Sequence, residues 1–345
     1  MRITIVTDAW SPQVNGVVTT MRNTVQCLEQ FGHDVSTIAP DRFRRIRCPG
    51  YHEIELSLFP RKQVARLLED GRPDVIHIAT EGPLGHAARS WCLQNRFPFA
   101  SSYHTRFPEY IRMRAPIPLK TSYHFLRRFH SAAHRTLVRS RTQKLLLQEK
   151  GFNNLAIWPG AVDVECFKPR GKDALSLRRP ISMYMGRVAI EKGIGDFLWL
   201  DLPGTKVVIG GGPDLGRLRK IYPEAVFIGP KFGLELASML SAADVFVFPS
   251  RTDTLGLTML EAMACGVPVA AFPVPGPMDL VREGRTGALD ADLRAAVFRA
   301  LRMDGDACVD FAREHSWQRS TQVFLGHQRH GAPAASVATL NKVAV

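Results

Sequence analysis

Short apolar runs, each followed by a stretch of helical character, recur along the chain at 3–7, 35–39, 75–79, 99–103, 181–184, 207–209, 226–228, 245–248 and 267–272. Runs this short, unbroken by polar residues and separated by helix-length segments, predict strands buried on both faces of parallel sheets. The fold class expected is α/β. A loop rich in charge and proline, Phe167-Lys168-Pro169-Arg170-Gly171-Lys172, divides the series into two similar halves. Two doubly wound, Rossmann-like domains are therefore expected, over 1–170 and 171–310, with ligands bound in the cleft between them. A C-terminal helix over 311–330 is expected to cross back to the first domain. The segment 331–345, with Gly, Pro, Ala and Ser and little amphipathic pattern, is expected to be a mobile tail.

One helix breaks the pattern. After the strand at 245–248 and its exit loop, the segment 255–265 reads as a helix capped by Gly266, and Glu261 sits among Leu257, Leu260, Met263 and Ala264. A carboxylate on a helix apolar on nearly all sides is costly unless paired. Two ribose hydroxyls would pair with it, since an ionised carboxylate accepts from a diol; a buried salt bridge to an Arg would serve equally. The loop before this helix, Asp253-Thr254-Leu255-Gly256, leaves backbone amides at the positive end of the dipole, which suits a phosphate. Asp253 could lie beside whatever that phosphate carries, or simply cap the helix.

Other loops that follow strands carry candidate chemistry. Gly186-Arg187 and Lys192-Gly193 bracket a basic pair able to neutralise a diphosphate: Arg187 as a planar fork, Lys192 as a point charge. Gly210-Gly211-Gly212 allows close backbone approach to a ligand, but its spacing is not the dinucleotide fingerprint, because Leu215 stands where the third glycine would fall. In the first half, Asn15 and Gly16 end the loop after the first strand, and His104 follows the strand at 99–103. A lone histidine at such a place is more often structural than catalytic, and the chain has eleven. Asp290-Ala291-Asp292 and Asp304-Gly305-Asp306 read as helix caps or turns rather than metal sites.

Composition sharpens this picture. The 345 residues carry a formal net charge of +13, and the imbalance lies in the first half: residues 1–170 hold 25 Lys and Arg against 14 acids, leaving 20 against 18 for the rest. Within 103–150, basic residues including Arg112, Arg114, Arg127, Arg128, Arg135 and Arg139 alternate with Tyr103, Phe107, Tyr110, Ile111, Tyr123, Phe125 and Phe129. Such a stretch suits the surface of an anionic membrane; a nucleic-acid groove and a merely solvated basic face are the competing readings. No apolar run approaches the roughly 18 residues of a spanning helix, and the amino terminus reads as a strand rather than a signal peptide. The six cysteines show no zinc spacing. These features lead us to expect a cytoplasmic protein, peripheral on the inner face of the cell membrane, with no metal site and no cofactor.

Taken together, Asn15-Gly16-Val17, His104-Thr105, Gly186-Arg187 with Lys192-Gly193, Gly210 to Gly212, and Asp253 through Glu261-Ala262-Met263 resemble, in order and spacing, the retaining nucleotide-sugar glycosyltransferases of family four. The resemblance covers almost the whole chain and implies two facing Rossmann-like domains, the GT-B fold, with 1–170 the acceptor side and 171–310 the nucleotide-sugar donor domain. It further implies that Glu261 holds the donor ribose, Arg187 and Lys192 the diphosphate, and Asp253 with the amides of Thr254, Leu255 and Gly256 the sugar hydroxyls. Gly16 would meet the phosphate from the opposite domain, and His104 would approach the reacting carbon. Asp253 stands where many members have Glu, a shorter arm that implies a different sugar pose. The opening Asp8-Ala9-Trp10-Ser11-Pro12-Gln13-Val14-Asn15-Gly16 and the segment Thr252-Asp253-Thr254-Leu255-Gly256 are similar to the branch of sulfoquinovosyl- and glycosyl-diacylglycerol synthases and bacterial lipid mannosyltransferases. The function expected is metal-independent, retaining transfer of a hexosyl unit from a nucleoside-diphosphate sugar to a lipid hydroxyl such as that of diacylglycerol. The alternatives are GDP-mannose-dependent mannosyl transfer, or transfer to a soluble glycan or metabolite. A nucleic-acid partner is not expected, because a nucleic-acid binder would leave Glu261, Arg187 and Lys192 without a task.

Overall fold

The computed structural model describes residues 1–48, 51–113 and 115–328; the tail expected at 331–345, and Arg114, lie outside the described residues. The chain forms two compact units. Among the described residues the first is Met1–Pro159 with 317–328, and the second is Gly160–Ser316. Residues 160–170, expected in the first domain, thus run in the second unit, and the helix expected over 311–330 is resolved into Asp306–Arg313 in the second unit and Trp317–Gly326 in the first.

The strands of the first unit are β1 (Arg2–Val6), β2 (Asp34–Ile38), the antiparallel hairpin β3 (Arg45–Cys48) and β4 (Tyr51–Ser57), β5 (Val75–Ile78), β6 (Phe99–Ser102), β7 (Arg135–Val138) and β8 (Leu155–Ile157). Six of them form one parallel sheet in the order β2-β1-β5-β6-β7-β8. Alternation along β1 and β5 sends Ile3, Ile5 and Val75 into one core, with Met21, Leu28 and Phe324, and Val6, Ile76 and Ile78 into another, with Leu84. Both faces are covered, as a parallel sheet requires. Phe324 belongs to the helix Trp317–Gly326, which packs beside the helix Gly16–Gln30.

The second unit repeats the plan with β9 (Ile181–Met185), β10 (Thr205–Ile209), β11 (Val226–Gly229), β12 (Val245–Phe248), β13 (Val269–Ala271) and β14 (Gly287–Leu289), ordered β11-β10-β9-β12-β13-β14 and all parallel. Ile181, Met183, Phe246 and Phe248 face one core; Tyr184, Val245 and Val247 face the other. The strand order reverses between β1 and β5 in the first sheet and between β9 and β12 in the second. At such a switch point the loops leaving the carboxyl ends of the two central strands diverge and open a crevice. The nine strands expected from apolar runs all form; β7, β8, β14 and the hairpin were not anticipated. β7 escapes the apolar pattern because Arg135-Thr136-Leu137-Val138 lies within what reads as a basic surface stretch.

Candidate active site

In the second unit the loops after β9 and β12 flank the switch point, and they are tied to each other. The carbonyl of the buried Glu191 accepts from the Thr252 hydroxyl at 3.0 Å and the Ser250 hydroxyl at 3.5 Å. Across this seam the Lys192 ammonium pairs with the Asp253 carboxylate, and the Arg187 guanidinium lies 3.5 Å from Glu191. The basic pair and Asp253, far apart in sequence, therefore stand together.

Glycine makes this packing possible at two places. Gly210 has φ +138°, and a Cβ there would lie 1.9 Å from the Gly186 carbonyl oxygen, so the turns 186–188 and 210–212 run in backbone contact. Three of their amides are engaged locally, Gly186 N–H donating to the Ile209 carbonyl, Val188 N–H to that of Gly211 and Gly210 N–H to that of Gly229. Gly256 has φ +85°, and a Cβ there would lie 2.7 Å from the Phe248 ring. It precedes the helix Leu257–Ala264, which starts two residues later than expected. Leu255 accordingly turns its side chain into the core against Gly160, leaving only its backbone for the site. Thr254 and Gly256 are half-buried beside it.

On the same helix Met259, Leu260, Ala262, Met263 and Ala264 are buried around Glu261. Burial alone pushes the Glu261 carboxyl up to about 7, and no cation among the described residues offsets it. The salt-bridge alternative therefore has no partner here, and the group stands ready for neutral donors such as hydroxyls.

In the first unit the corresponding loops hold a different set. Asn15 caps the helix Gly16–Gln30, its side-chain oxygen accepting from Val17 N–H and Val18 N–H at 3.0 Å, so that side chain serves the fold while Gly16 opens the helix in an exposed position. His104, half-buried after β6, packs edge-on against Trp158 at 5.7 Å between ring centroids. Burial first, and then the charge of Arg139, hold its pKa well below the usual histidine range, so the ring is neutral.

Three further residues gather at this edge. Asp8, directly after β1, is buried and accepts from Leu84 N–H at 2.8 Å, Gly85 N–H at 3.3 Å and the Thr80 hydroxyl at 2.8 Å; burial raises it to about 6 against the pull of those bonds. Its place is kept by Gly82, where a Cβ would strike the carboxylate at 2.4 Å. Glu81 pairs with the buried His130 at 2.9 Å. Arg139, counted above with the surface charges, is only 4% exposed. Asp8 and Glu81 follow strands legible in the sequence, whereas Arg139 follows β7, which the apolar pattern does not show.

The basic stretch is also corrected. Tyr103, Tyr123 and Phe129 are core residues rather than an embedding surface. What the segment does expose is Ile111, Met113, Ile117, Leu119 and Phe125, the last 70% accessible, beside exposed Arg112, Lys120, Arg127 and Arg128; Arg135 is half-buried at the start of β7. The two aspartate pairs behave as turns: Asp292 accepts from Arg294 N–H and Asp304 from Asp306 N–H. Among the described residues no three His, Cys, Asp or Glu side chains gather where they could hold a metal ion, and no helix is long and apolar enough to cross a membrane.

Comparison with known proteins gives this geometry a class. Residues 14–166 match Glycosyltransferase Family 4 and residues 179–303 match Glycosyl transferases group 1. A GDP-mannose-dependent alpha-mannosyltransferase of Mycolicibacterium smegmatis is 33% identical over 95% of this chain and 96% of its own. A sulfoquinovosyl transferase of Arabidopsis thaliana is 29% identical over 92% of this chain and 71% of its own, and an alpha-monoglucosyldiacylglycerol synthase of Acholeplasma laidlawii 27% over 78% and 79%. Among solved structures, a sucrose-phosphate synthase of Thermosynechococcus elongatus superposes with a TM-score of 0.75 at 21% identity, covering 94% of this chain and 97% of that one. The two sheets, six parallel strands each, are those of a GT-B glycosyltransferase. The chain belongs to glycosyltransferase family four.

Proposed function

We propose that the protein transfers a hexosyl unit, with retention, from a nucleoside-diphosphate sugar to a hydroxyl of a membrane lipid such as diacylglycerol. The observation that carries this reading is Glu261: a half-buried carboxylate on an otherwise buried apolar helix, with no cation among the described residues to offset it, on the same switch-point edge as the loops that gather Arg187, Lys192 and Asp253. Glu261 takes the two ribose hydroxyls. Arg187 and Lys192 take the diphosphate, and Asp253 with the amides of Thr254, Leu255 and Gly256 takes the sugar hydroxyls. Lys192 is paired with Asp253, which sets the cation for the phosphate beside the carboxylate for the sugar.

Transfer needs charge stabilised on the departing phosphate oxygen, and fixed cations in a partly dry site do this without reorganisation. In this reading the two basic side chains do the work otherwise done by a metal ion. Neutral His104 donates or accepts a hydrogen bond near the reacting carbon without adding charge. The lipid acceptor is supported by the names of the relatives and by the exposed apolar and basic face around Phe125. GDP-mannose-dependent transfer is the second reading, favoured by the mannosyltransferase relatives.

A hydrolysis screen over UDP- and GDP-sugars, followed by diacylglycerol as acceptor, tests the reading; turnover of no nucleotide sugar would overturn it. Arg187→Ala and Lys192→Ala should each remove charge-assisted contacts of about 1.5 to 3 kcal/mol, roughly ten- to a hundredfold in kcat/KM. Turnover should persist in chelator. Loss of activity in EDTA, restored by magnesium or manganese, would refute metal independence.

A further inference from the structure

β6 and β7 lie side by side, Ser102 opposite Leu137, so the residues that follow them, His104 and Arg139, emerge at one edge of the first sheet. Arg139 stacks its guanidinium over the Trp158 ring at 4.3 Å. Its Nη1 and Nη2 atoms are out of solvent contact and have no hydrogen-bond partner among the described residues. The same is true of Gln143 Nε2 and Trp158 Nε1. Gln143 is fixed next to Arg139, its carbonyl oxygen accepting the Arg139 backbone N–H at 2.9 Å. Four donor atoms on three neighbouring side chains are thus buried with nothing to donate to.

Leaving that many donors unmade is expensive, because each forfeits its water without a replacement, and a charged one forfeits most. The carboxylates of this edge are committed elsewhere: Asp8 to Thr80 and two amides, Glu81 to His130, Glu109 to Arg106 and Tyr123. Burial lowers the Arg139 guanidinium only to about 9, so it remains a cation near neutral pH. The helix Arg141–Glu149, capped by Ser140, begins at the same point and adds the positive end of its dipole. All four of these unsatisfied atoms donate, so the complement is an acceptor-only group. A planar guanidinium matches an oxyanion in a two-point fork, and a phosphate has oxygens enough for the amide and indole as well.

We propose that Arg139, Gln143 and Trp158 form a subsite for the phosphate of a negatively charged acceptor, entered past the half-buried His104. This deepens the proposed function, since it rests on the first unit being the acceptor side, and it narrows the acceptor from any lipid hydroxyl to one carried beside a phosphate. A soluble phosphate ester and a phospholipid headgroup share that chemistry.

The test compares sn-glycerol 3-phosphate with glycerol, and phosphatidylglycerol dispersed in neutral detergent with diacylglycerol dispersed likewise. The parent protein should bind the phosphate-bearing member of at least one pair about tenfold or more tightly by calorimetry. Arg139→Gln should abolish that preference and leave nucleoside-diphosphate affinity unchanged. Gln143→Leu, which removes a donor without touching the charge, should weaken it severalfold. Arg139→Gln should also melt higher than the parent without anion, because it removes a buried uncompensated charge, and should lose the melting rise that the anion gives the parent. Which pair responds identifies the source as free ester or headgroup. Equal binding within both pairs by the parent, or a preference untouched in both variants, would overturn the subsite. Phosphate binding lost with Arg139, while no phosphate-bearing acceptor is glycosylated, would keep the subsite and refute the acceptor reading.

Discussion

Glu261→Ala is expected to weaken nucleoside-diphosphate binding by about a hundredfold or more, since two hydrogen bonds to a charged group contribute roughly 1.5 to 3 kcal/mol each. Glu261→Gln should separate function from stability. Burial pushes the carboxyl up to about 7 from an ordinary 4.5. A group whose folded pKa is raised contributes stability that is complete below the unfolded pKa and is lost as pH rises through the folded one. The unliganded parent therefore loses stability relative to Glu261→Gln between about pH 4.5 and 7, reaching about 3 kcal/mol above that window on the scale of 1.36 kcal/mol per unit. The Gln variant should melt higher at pH 8 and close to the parent at pH 4.

Nucleotide binding should run the other way. Ribose hydroxyls favour the ionised carboxylate, so the parent's affinity should rise with pH towards 7 and then level off, while the variant lacks that component. Titration of the nucleotide's own phosphates is common to both proteins and cancels in the comparison. Calorimetry and thermal unfolding across this range decide the matter. Unchanged affinity in Glu261→Ala together with a collapsed melting temperature would make Glu261 a structural residue.

Why Glu261 was legible from sequence, and Arg139 was not, is a matter of pattern. A carboxylate among Leu257, Leu260 and Met263 conflicts with the apolar period around it, and a conflict of that kind shows without any tertiary information. The strands at β1, β5, β9 and β12 were legible for the same reason, being runs with one possible environment. β7 has Arg135 and Thr136 at its start, within a stretch dense in arginine, and its role as a buried strand comes from its neighbours β6 and β8. With the strand unrecognised, Arg139 could only be counted with the surface charges. The pairing of Lys192 with Asp253 depends on the strand order β9-β12, which brings two distant loops to one switch point. Asp8 is held by amides of residues 84 and 85, contacts that no local pattern announces.

Reversing Arg112, Lys120, Arg127 and Arg128 to Glu should release the protein from anionic vesicles. Arg135, half-buried, no longer belongs to this set, and Tyr123 and Phe129 are spoken for by the core. The surface left by that sorting has one pronounced apolar projection, Phe125, on the helix Leu119–His130, with Ile111, Met113, Ile117 and Leu119 also exposed in the same segment. Basic residues near an anionic surface contribute about 1 kcal/mol each, and reversal replaces attraction by repulsion, so the four changes together outweigh any single contact. Phe125→Ser should weaken binding as well, by up to about 3 kcal/mol if the ring is fully buried in the interface. The two kinds of change differ in salt dependence. Charge attraction fades as the screening length falls to about 10 Å at 0.1 M and below with more salt, whereas burial of the ring does not. Co-sedimentation with phosphatidylglycerol vesicles at low and high salt, beside phosphatidylcholine vesicles as the neutral control, should show a salt-sensitive loss in the charge variant and a salt-insensitive one in Phe125→Ser. Nucleotide affinity should survive in both, because none of the five residues changed is one proposed to hold the donor. A parent that sediments equally with neither or both kinds of vesicle would return this face to ordinary solvated surface and favour a soluble acceptor.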